Sequence, residues 1–274
     1  MPELPEVETI RRELAACIRG AKISQVEVLR SLVVGHPGSA KFAKTLESDE
    51  IEAVERQGKY LILCLRGGRK LVFHFRLSGS IVVTPDRTPQ RFARVLFYLS
   101  DGRALQFIEP RVLGRIYLVL PGEKPKALTG LFRLGLEPVA PGFTTAHLCA
   151  VLAKRKARIK SLLLDQSIAS GVGNIYSDEA LFRARIRPTR RAHTLKRDEI
   201  ARLVRTLKDV IREGIENLGT SVKDYYRTDG RTGNFQKMLR VYGREDEPCR
   251  LCGTTIKLLK LGNRGSRYCP HCQK

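Results

Sequence analysis

The strongest constraint on the fold lies at the C-terminal end of the chain, where two pairs of cysteines occur. Cys249-Arg-Leu-Cys252 and Cys269-Pro-His-Cys272 are CxxC pairs separated by sixteen residues. This spacing is typical of a zinc ribbon, in which two hairpin turns supply four thiolates to a tetrahedral metal. Two disulfides are the alternative, but a basic chain without a secretion signal is expected in a reducing compartment. We therefore predict one structural Zn²⁺ bound by Cys249, Cys252, Cys269 and Cys272.

The composition excludes several classes of protein. With 274 residues, 42% of them hydrophobic, the chain is long enough for two or three domains with cores of their own. No apolar run reaches the length of about 18 residues that spans a bilayer, and the acidic N-terminus is unlike a signal peptide, so we expect a cytoplasmic protein. Lys and Arg total 50 against 28 Asp and Glu, a formal net charge of +22. Because these charges are spread along the chain, nucleic acid is the expected partner rather than a membrane surface.

The N-terminal half is predicted to be an antiparallel sandwich or barrel with one helix against it. Apolar residues recur at helical spacing between about Glu6 and Gly20, which predicts an amphipathic helix. Beyond it, turn residues at Arg66-Gly-Gly-Arg69 and at Ser100-Asp101-Gly102 separate pairs of apolar runs, which predicts two hairpins. The predicted strands are YLILCL, KLVFHF, ARVLFYL, RALQFI and RIYLVL, with shorter candidates at 23–29 and 51–54.

Helical periodicity dominates the second half of the chain. Helices are predicted at 146–156 and 159–165, and a long amphipathic helix is predicted at 195–218. The pattern predicts four segments, which are a β-rich domain at 1–130, a linker at 131–145, a helical domain at 146–238 and a zinc finger at 239–274.

A glycine-rich turn, Gly171-Val-Gly-Asn-Ile-Tyr176, lies between two predicted helices. A dinucleotide-binding loop must follow a strand, so a Rossmann site is excluded here. The glycines allow a tight turn before a helix that begins near Ser177, and this turn presents backbone N–H groups and the Asn174 amide. In a chain this basic, we interpret the turn as a phosphate-binding site rather than as a structural turn alone.

The opening MPELPEVET places a proline behind Met1 and carboxylates at Glu3 and Glu6. Taken alone, this stretch could simply begin a helix, because Pro5 and acidic residues suit the first turn. A catalytic role for the terminus is the other interpretation, and the opening by itself does not decide between them.

Eight segments in order resemble formamidopyrimidine-DNA glycosylase along the whole chain. They are PELPEVE, RQGKYL, HFRLSGS, EPRVLGR, SGVGNIYSDEALF, GTSVKDYYRTDGRTG, VYGREDEPCRLCG and RYCPHCQK. The resemblance implies an α+β multidomain fold, with an N-terminal antiparallel β-sandwich with flanking helices, a helix-two-turns-helix domain and a C-terminal β-hairpin zinc finger. It implies a monomeric bacterial protein, associated with the nucleoid. Its implied activity is that of a bifunctional DNA glycosylase and AP lyase, which excises oxidised purines from damaged double-stranded DNA in base excision repair.

The resemblance also assigns catalytic residues. In this family the initiating methionine is removed and the proline amine is the nucleophile, which here is Pro2. A secondary amine that attacks C1′ gives an iminium that stays cationic without an N–H proton, and this favours β,δ-elimination. Glu3 matches the general acid/base and Glu6 matches a carboxylate that positions the terminus. Lys59 matches a lysine that binds phosphate beside the lesion, and Arg264 matches the zinc-finger arginine that reaches the DNA backbone.

Further positions match residues that contact DNA or fill the gap left by an everted base. The family typically fills this gap with a methionine, an arginine and a phenylalanine. Here Leu77 and Leu113 replace the methionine and the phenylalanine, and Arg111 is retained. Arg76 and Val112 also replace a usual glycine and arginine, so we expect lesion and opposite-base preference to differ from the family's norm. The implied DNA-binding residues are His74, Leu77, Arg111, Leu113, Lys156, Lys160, Asn174 and Tyr242.

The segment from Thr220 to Gly233 matches the loop that closes over an everted purine. Glycines at 230 and 233 are predicted to give this loop its mobility. The residues assigned to the loop are Thr220, Ser221, Val222, Tyr225, Gly230 and Gly233.

Two other functions are weighed against this one. Endonuclease VIII shares the Pro-Glu chemistry but prefers oxidised pyrimidines and usually opens PEGPE, whereas this chain has Leu4 and the long purine-closing loop. A non-catalytic protein that binds damaged DNA is the second alternative, and the intact Pro2, Glu3 and Lys59 argue against it. Borohydride trapping distinguishes these classes, because only an enzyme that forms an iminium becomes linked to the DNA.

Overall fold

The computed structural model describes residues 2–221 and 225–274, and its contacts divide the chain into two compact units. Unit 1 comprises Met1–Phe132 and Asn217–Asn234, and unit 2 comprises Arg133–Glu216 and Phe235–Lys274. The boundaries predicted from sequence place 217–234 in the helical domain, whereas its contacts group this segment with unit 1. Sequence patterns follow the order of the chain, and they do not register a segment that returns to an earlier part of it.

Unit 1 begins with helix α1, Leu4–Cys17, which starts two residues before the predicted position. Pro5 lies in the first turn, and Glu3 and Glu6 form a capping box that satisfies backbone N–H groups at this end. The helix buries one apolar face, as the spacing predicted, and Ile10 and Leu14 are fully buried on it.

The elements that follow α1 in unit 1 are β1 (Ile23–Val28), β2 (Val34–His36), α2 (Ser39–Leu46), β3 (Ile51–Gln57), β4 (Tyr60–Leu65), β5 (Lys70–His74), β6 (Ser80–Thr84), β7 (Ala93–Leu99), β8 (Ala104–Ile108) and β9 (Arg115–Val119). Their strands form two sheets. One has the strand order β1-β7-β8-β6 and the other has the order β2-β9-β5-β4-β3. The named pairs are antiparallel except β2 with β9, which are parallel, so the prediction of an entirely antiparallel half is wrong at this one pair.

The core of unit 1 lies between these sheets and α1. Phe73 of β5 meets Phe97 of β7 at 6.1 Å and Phe107 of β8 at 5.9 Å between ring centroids, so both sheets contribute to one cluster. The strands of the two predicted hairpins and RIYLVL are all confirmed, because the hairpins combine apolar runs with turn signals. The prediction omitted α2, β2 and β6. α2 has a short apolar stripe, in which Phe42 and Leu46 are buried, and this signal is weak in sequence.

Unit 2 contains four α-helices and one hairpin among its described residues. The long helix α6 (Arg197–Glu216) buries Leu203, Leu207 and Val210 on the predicted stripe. α5 begins at Asn174, three residues earlier than predicted, because Gly173 is its N-cap residue. Elements of unit 2 are α3 (Thr145–Leu152), α4 (Ile159–Leu163), α5 (Asn174–Arg183), α6 (Arg197–Glu216), β10 (Lys257–Leu261) and β11 (Arg264–Tyr268).

A helix that crosses a bilayer must be both long and apolar. Among the residues that the structure describes, no helix combines the two properties.

Candidate active site and nucleic-acid interface

The start of α1 is a buried arrangement of three predicted site residues. Pro2 is buried, and Glu3 and Glu6 are each 1% exposed. One oxygen of Glu6 accepts the Glu3 backbone N–H at 2.7 Å, and the other accepts the Thr220 N–H at 2.8 Å. Gly219 must be glycine here, since a Cβ would lie 2.9 Å from Glu6 Cγ. Glu6 therefore bonds both the chain next to Pro2 and the segment from Thr220 to Gly233 (the 220 segment).

Lys59 lies in the turn between β3 and β4 and is 8% exposed. Arg56 connects this turn to α1, because its guanidinium donates to Glu8 at 3.0 Å and to the carbonyl of Gly58 at 3.0 Å. Burial alone would raise the pKa of Glu8, but hydrogen bonds from Arg11, Arg12 and Arg56 lower that pKa to about 2. A largely buried ion pair therefore connects the turn that carries Lys59 to α1.

His74, at the end of β5, is a neutral hydrogen-bonding group. Its ring packs edge-on against the Tyr60 ring, with 4.6 Å between the ring centroids. Its Nδ1 accepts the Arg76 backbone N–H at 3.1 Å. Burial, with the nearby charges of Arg76 and Lys59, lowers the pKa of His74 to about 3. Because Nδ1 is an acceptor, the ring proton lies on Nε2, where it can donate to a phosphate oxygen.

The residues predicted to fill the gap in the duplex lie on two loops of unit 1. Leu113 is 43% exposed, Arg111 is exposed and Leu77 is half-buried. The loops bond to the same side chain, Glu109, which is fully buried.

The 220 segment is fixed to α1 at a second place. The Glu13 carboxylate accepts Arg227 Nε at 2.6 Å, the Thr228 N–H at 3.0 Å and the Thr228 hydroxyl at 2.8 Å. Tyr225 is 3% exposed and packs in the core of unit 1, so it anchors the segment. Val222, also assigned to this loop, lies outside the described residues.

Gly233 differs from its predicted role as a source of mobility. A Cβ at this position would overlap the carbonyl oxygens of Gly219 and Leu218, and its N–H donates to Ser221 Oγ at 2.9 Å. Close packing of two backbones therefore requires glycine at 233. Gly230 is exposed and has a φ of 79°. It ends a turn in which its N–H donates to the Arg227 carbonyl.

In unit 2, Asn174 is the first residue of α5, whereas the sequence placed it in the turn before the helix. Its Oδ1 is buried, and no hydrogen-bond donor among the described residues reaches it. Lys156 is exposed after α3, and Arg264 is exposed at the start of β11. These placements are compatible with phosphate contacts.

Lys160 does not fit the DNA-contacting role predicted for it. The side chain is 0% exposed, and its amine donates to Asp178 Oδ1 at 2.5 Å and to the Gly265 carbonyl at 3.1 Å. A buried lysine needs such a partner, because an unpaired charge in the interior is costly. Lys160 is therefore a structural residue. It lies on α4 and bonds both α5 and the hairpin of β10 and β11, which lies between the two cysteine pairs (the zinc hairpin).

Two adjacent acids of α5 hold the chain around the zinc finger. Asp178 also accepts the Ser266 hydroxyl at 2.9 Å and the Arg267 N–H at 3.0 Å. Glu179 accepts three consecutive backbone N–H groups, including that of Tyr242 at 2.9 Å. Burial raises the pKa of Asp178 to about 6, against the lowering effect of Lys160 and these donors. Tyr242 is half-buried, and the Arg267 guanidinium lies 4.6 Å from the centre of its ring.

The four cysteines form a donor set for a metal. Their sulfurs lie within 4.8 Å of one another, with 3.9 Å between Cys249 and Cys272 and 3.5 Å between Cys252 and Cys269. Zn–S bonds of about 2.3 Å in a tetrahedron require sulfurs about 3.8 Å apart, so the set fits Zn²⁺. The N–H groups of Leu251 and Cys272 each point at a cysteine sulfur at 3.4 Å, which stabilises thiolates.

Three family models match the chain in order. They are described as Formamidopyrimidine-DNA glycosylase N-terminal domain at residues 1–116, Formamidopyrimidine-DNA glycosylase H2TH domain at residues 134–225, and Zinc finger found in FPG and IleRS at residues 246–274. The chain belongs to the formamidopyrimidine-DNA glycosylase family. The predicted family, the α+β class and one structural zinc are thereby confirmed.

Curated relatives and solved structures of this family match over the full length. A Formamidopyrimidine-DNA glycosylase of Pelotomaculum thermopropionicum is 48% identical over 275 residues, which covers 100% of this chain and 99% of the relative. The MutM (Fpg) protein from Thermus thermophilus has a TM-score of 0.90 at 38% identity, over 99% of this chain and 98% of that one. The Lactococcus lactis Fpg in complex with DNA containing an abasic site has a TM-score of 0.91 at 31% identity, over 99% of each chain.

Sequence reasoning missed the acids that hold the family's site residues in place. Glu13 and Glu109 occur singly, and nothing local distinguishes them from solvated charges. Asp178 and Glu179 carried a usable signal, since two acids interrupt the apolar helix NIYSDEALF. An acid on the buried face of a helix requires donors, and these come from a distant part of the chain.

Proposed function

We propose that this protein is a bifunctional DNA glycosylase and AP lyase. It excises oxidised purines, such as 8-oxoguanine and formamidopyrimidines, from double-stranded DNA in base excision repair. The observation that carries the proposal is the start of α1, where Pro2 and Glu3 are buried and Glu6 bonds the Glu3 amide and Thr220. Relatives support it, since the Lactococcus lactis Fpg forms complexes with abasic-site DNA and, as a mutant, with Fapy-dG-containing DNA. The protein acts as a monomer on the bacterial nucleoid.

Pro2 carries the covalent chemistry. Once Met1 is removed, its secondary amine attacks C1′ of the damaged nucleotide, and the base leaves with the electrons of the glycosidic bond and a proton. The nitrogen then loses its proton, and its lone pair breaks the C1′–O4′ bond as O4′ takes a proton, which opens the sugar ring and gives an iminium. The iminium withdraws electrons, so C2′ loses a proton and the 3′ phosphate leaves. A second elimination expels the 5′ phosphate, and water releases Pro2 from the sugar.

The other site residues of unit 1 position the N-terminus and the DNA, and they transfer protons. Glu3 delivers protons as the glycosidic bond breaks and the sugar ring opens, while Glu6 keeps the terminus in place. Lys59 and the Nε2–H of His74 bind phosphate oxygens beside the lesion. In unit 2, Asn174 and Arg264 bind the DNA backbone, and the bound zinc holds the hairpin that carries Arg264.

Borohydride trapping tests this proposal. The parent, shown by intact mass to begin at Pro2, should become covalently linked to duplex DNA containing 8-oxoguanine, because borohydride reduces the iminium. Glu3→Gln should lose about 10²- to 10⁴-fold in base excision, the usual contribution of a general acid. A preparation that keeps Met1 has an amide nitrogen without a nucleophilic lone pair, and full-rate cleavage of abasic DNA by it would contradict the role of Pro2.

Leu77 and Leu113 set the expected selectivity. Leucine fills the gap left by the everted base, but it lacks the aromatic face that stacks on a base, an interaction worth about 1–3 kcal/mol in single-strand binders. We therefore propose weaker discrimination among opposite bases than is usual in the family. Single-turnover excision of 8-oxoguanine opposite C, A, G and T should show this, and Leu113→Phe should sharpen it. Sharp rejection of adenine by the parent, unchanged in Leu113→Phe, would contradict the stacking argument.

The same assay distinguishes the endonuclease VIII alternative. A duplex with an oxidised pyrimidine, compared with 8-oxoguanine opposite cytosine, should be the poorer substrate. The reverse order would favour the alternative, while trapping by Pro2 would stand in both cases.

A further inference from the structure

The loop after β5 and the loop after β8 are joined through one buried carboxylate. Glu109 is 0% exposed. Its Oε1 accepts the Ser78 hydroxyl at 2.5 Å and the Arg111 backbone N–H at 3.1 Å. Its Oε2 accepts the Gly114 N–H at 2.8 Å. One side chain thus bonds the first loop once and the second loop twice.

Both loops approach this carboxylate as closely as a backbone can. A Cβ on Gly114 would lie 2.5 Å from Glu109 Oε2 and 2.8 Å from the Phe107 ring. A Cβ on Gly79 would lie 2.7 Å from the Phe75 carbonyl oxygen and 3.1 Å from Glu109 Oε2. A Cβ at Gly114 would thus crowd the carboxylate itself, and one at Gly79 would crowd the Phe75 backbone of its own loop.

The main chain of Glu109 is fixed in turn to the sheet. Its N–H donates to the Phe92 carbonyl at 3.0 Å, and its carbonyl accepts Arg94 Nε at 2.8 Å. Arg94 belongs to β7, and Glu109 directly follows β8. The carboxylate therefore has a rigid origin, to which both loops are bonded.

Each loop also contains a residue in the left-handed region. Arg76 has a φ of 53° and Val112 has a φ of 56°. Such conformations cost non-glycine residues about 1–3 kcal/mol and persist only where surrounding contacts impose them. The bonds from Ser78 and Arg111 to Glu109 lie within two residues of Arg76 and Val112 in the chain.

We propose that Glu109 is a positioning residue for the step in which side chains fill the space left by the everted base. The inference rests on the function proposed above. Through Ser78 the carboxylate sets the place of Leu77, and through two backbone N–H groups it sets the places of Arg111 and Leu113. Opposite-base selectivity therefore depends on a residue that is buried beneath the loops.

Two variants test this. Glu109→Gln keeps the shape of the side chain but replaces one acceptor oxygen by an NH₂ donor, so at least one of the two loops loses its acceptor. Ser78→Ala removes only the bond to the loop that carries Leu77, and it keeps the test available where Glu109→Gln fails to fold.

Gln106→Leu is the matched control. Gln106 lies on β8 and is also 0% exposed. Its amide bonds Thr84, Thr88 and the Gln90 N–H, none of which belongs to the two loops. This variant should lose stability without any change in the loops.

The measurement places 2-aminopurine opposite an abasic site and follows its fluorescence as the protein binds. We expect Glu109→Gln to reduce the fluorescence change and to shift the ratio of excision opposite C and A by about tenfold, because buried donors lose an acceptor. Ser78→Ala should shift the ratio less. Borohydride trapping on preformed abasic DNA, which depends on Pro2, should stay within about twofold of the parent.

The outcomes separate this proposal from the one on which it rests. If Glu109→Gln and Ser78→Ala melt earlier, as Gln106→Leu does, but keep the parent's fluorescence change and C-to-A ratio, Glu109 is only structural and the inference is overturned. If the parent itself does not trap on abasic DNA, the proposed function is overturned first, and this inference with it.

Discussion

The start of α1 in unit 1 and the zinc hairpin in unit 2 both present predicted site residues, but they are held in place by different means. α1 packs on a large apolar cluster to which both sheets contribute, including Phe73 and Phe97. The zinc hairpin is flanked by a small cluster of buried residues, in which two members are metal ligands. The cluster consists of Phe182, Val241, Cys249, Ile256 and Cys269.

This difference shows how a site residue is fixed where apolar burial is scarce. In unit 1, burial at about 25 cal/mol per Å² supplies the stability, and acids such as Glu6 and Glu13 only fasten segments onto it. In unit 2, the hairpin depends on the metal and on the buried acids Asp178 and Glu179. The two regions should therefore respond differently to metal removal, core truncation and pH.

Zinc removal should have the largest effect and should be confined to unit 2. Metal binding contributes about 10–16 kcal/mol in small zinc-finger peptides, so Cys252→Ser should unfold the hairpin and abolish tight DNA binding. Amide exchange of β10 and β11, with metal content by atomic absorption, measures this, and Cys64→Ser is the control. Protected amides in β10 and β11 without bound zinc would remove the contrast between the units.

Phe73→Ala should have the next largest effect, in unit 1. Truncating a buried phenylalanine costs about 3–5 kcal/mol. Urea unfolding measures the loss, while zinc content should not change. Phe132→Ala, at a side chain that is 47% exposed, is the control and should have little effect. Loss of zinc from Phe73→Ala would show that the units are not independently stabilised.

Lys160→Met tests the polar anchor of unit 2. Breaking a buried ion pair costs about 3–5 kcal/mol, and we expect the lower end because Asp178 keeps two other donors. The salt dependence of DNA binding should keep its slope, whereas the exposed Lys156→Met should lower that slope by about 1. If Lys160→Met lowers the slope of the salt dependence, Lys160 contacts a phosphate as the sequence predicted.

The pH dependence of Glu8 is the smallest expected effect. Its pKa is lowered from 4.5 to about 2 in the folded protein, so it stabilises above pH 4.5 and this contribution is lost as the pH falls towards 2. Between pH 7 and pH 4 the loss is about 1 kcal/mol. Between pH 7 and pH 4, the free energy of unfolding measured with urea should fall by this amount more in the parent than in Glu8→Gln. If the free energy of unfolding depends equally on pH in the two proteins, the three arginines do not stabilise the charged form of Glu8.

The sequence predicted elements that carry their own signal. Two hairpins, the α6 stripe and the four cysteines were predicted because alternation, helical spacing and CxxC pairs are local patterns. The β2–β9 pair was missed because a short parallel pairing leaves no such pattern. Lys160 was assigned to DNA because charge alone does not reveal burial, which depends on Asp178 and Gly265, 18 and 105 residues away.

The sequence by itself determined the metal ligands, the helical opening behind Pro2 and the family, because each depends on residue types at fixed spacing. Only the tertiary structure decided what holds these residues in place. Glu13 and Glu109 look like ordinary surface acids in sequence, yet Glu13 accepts hydrogen bonds from the remote 220 segment and Glu109 joins two loops. A buried carboxylate is stable only where folding brings donors to it, and that meeting is a property of the fold rather than of any local pattern.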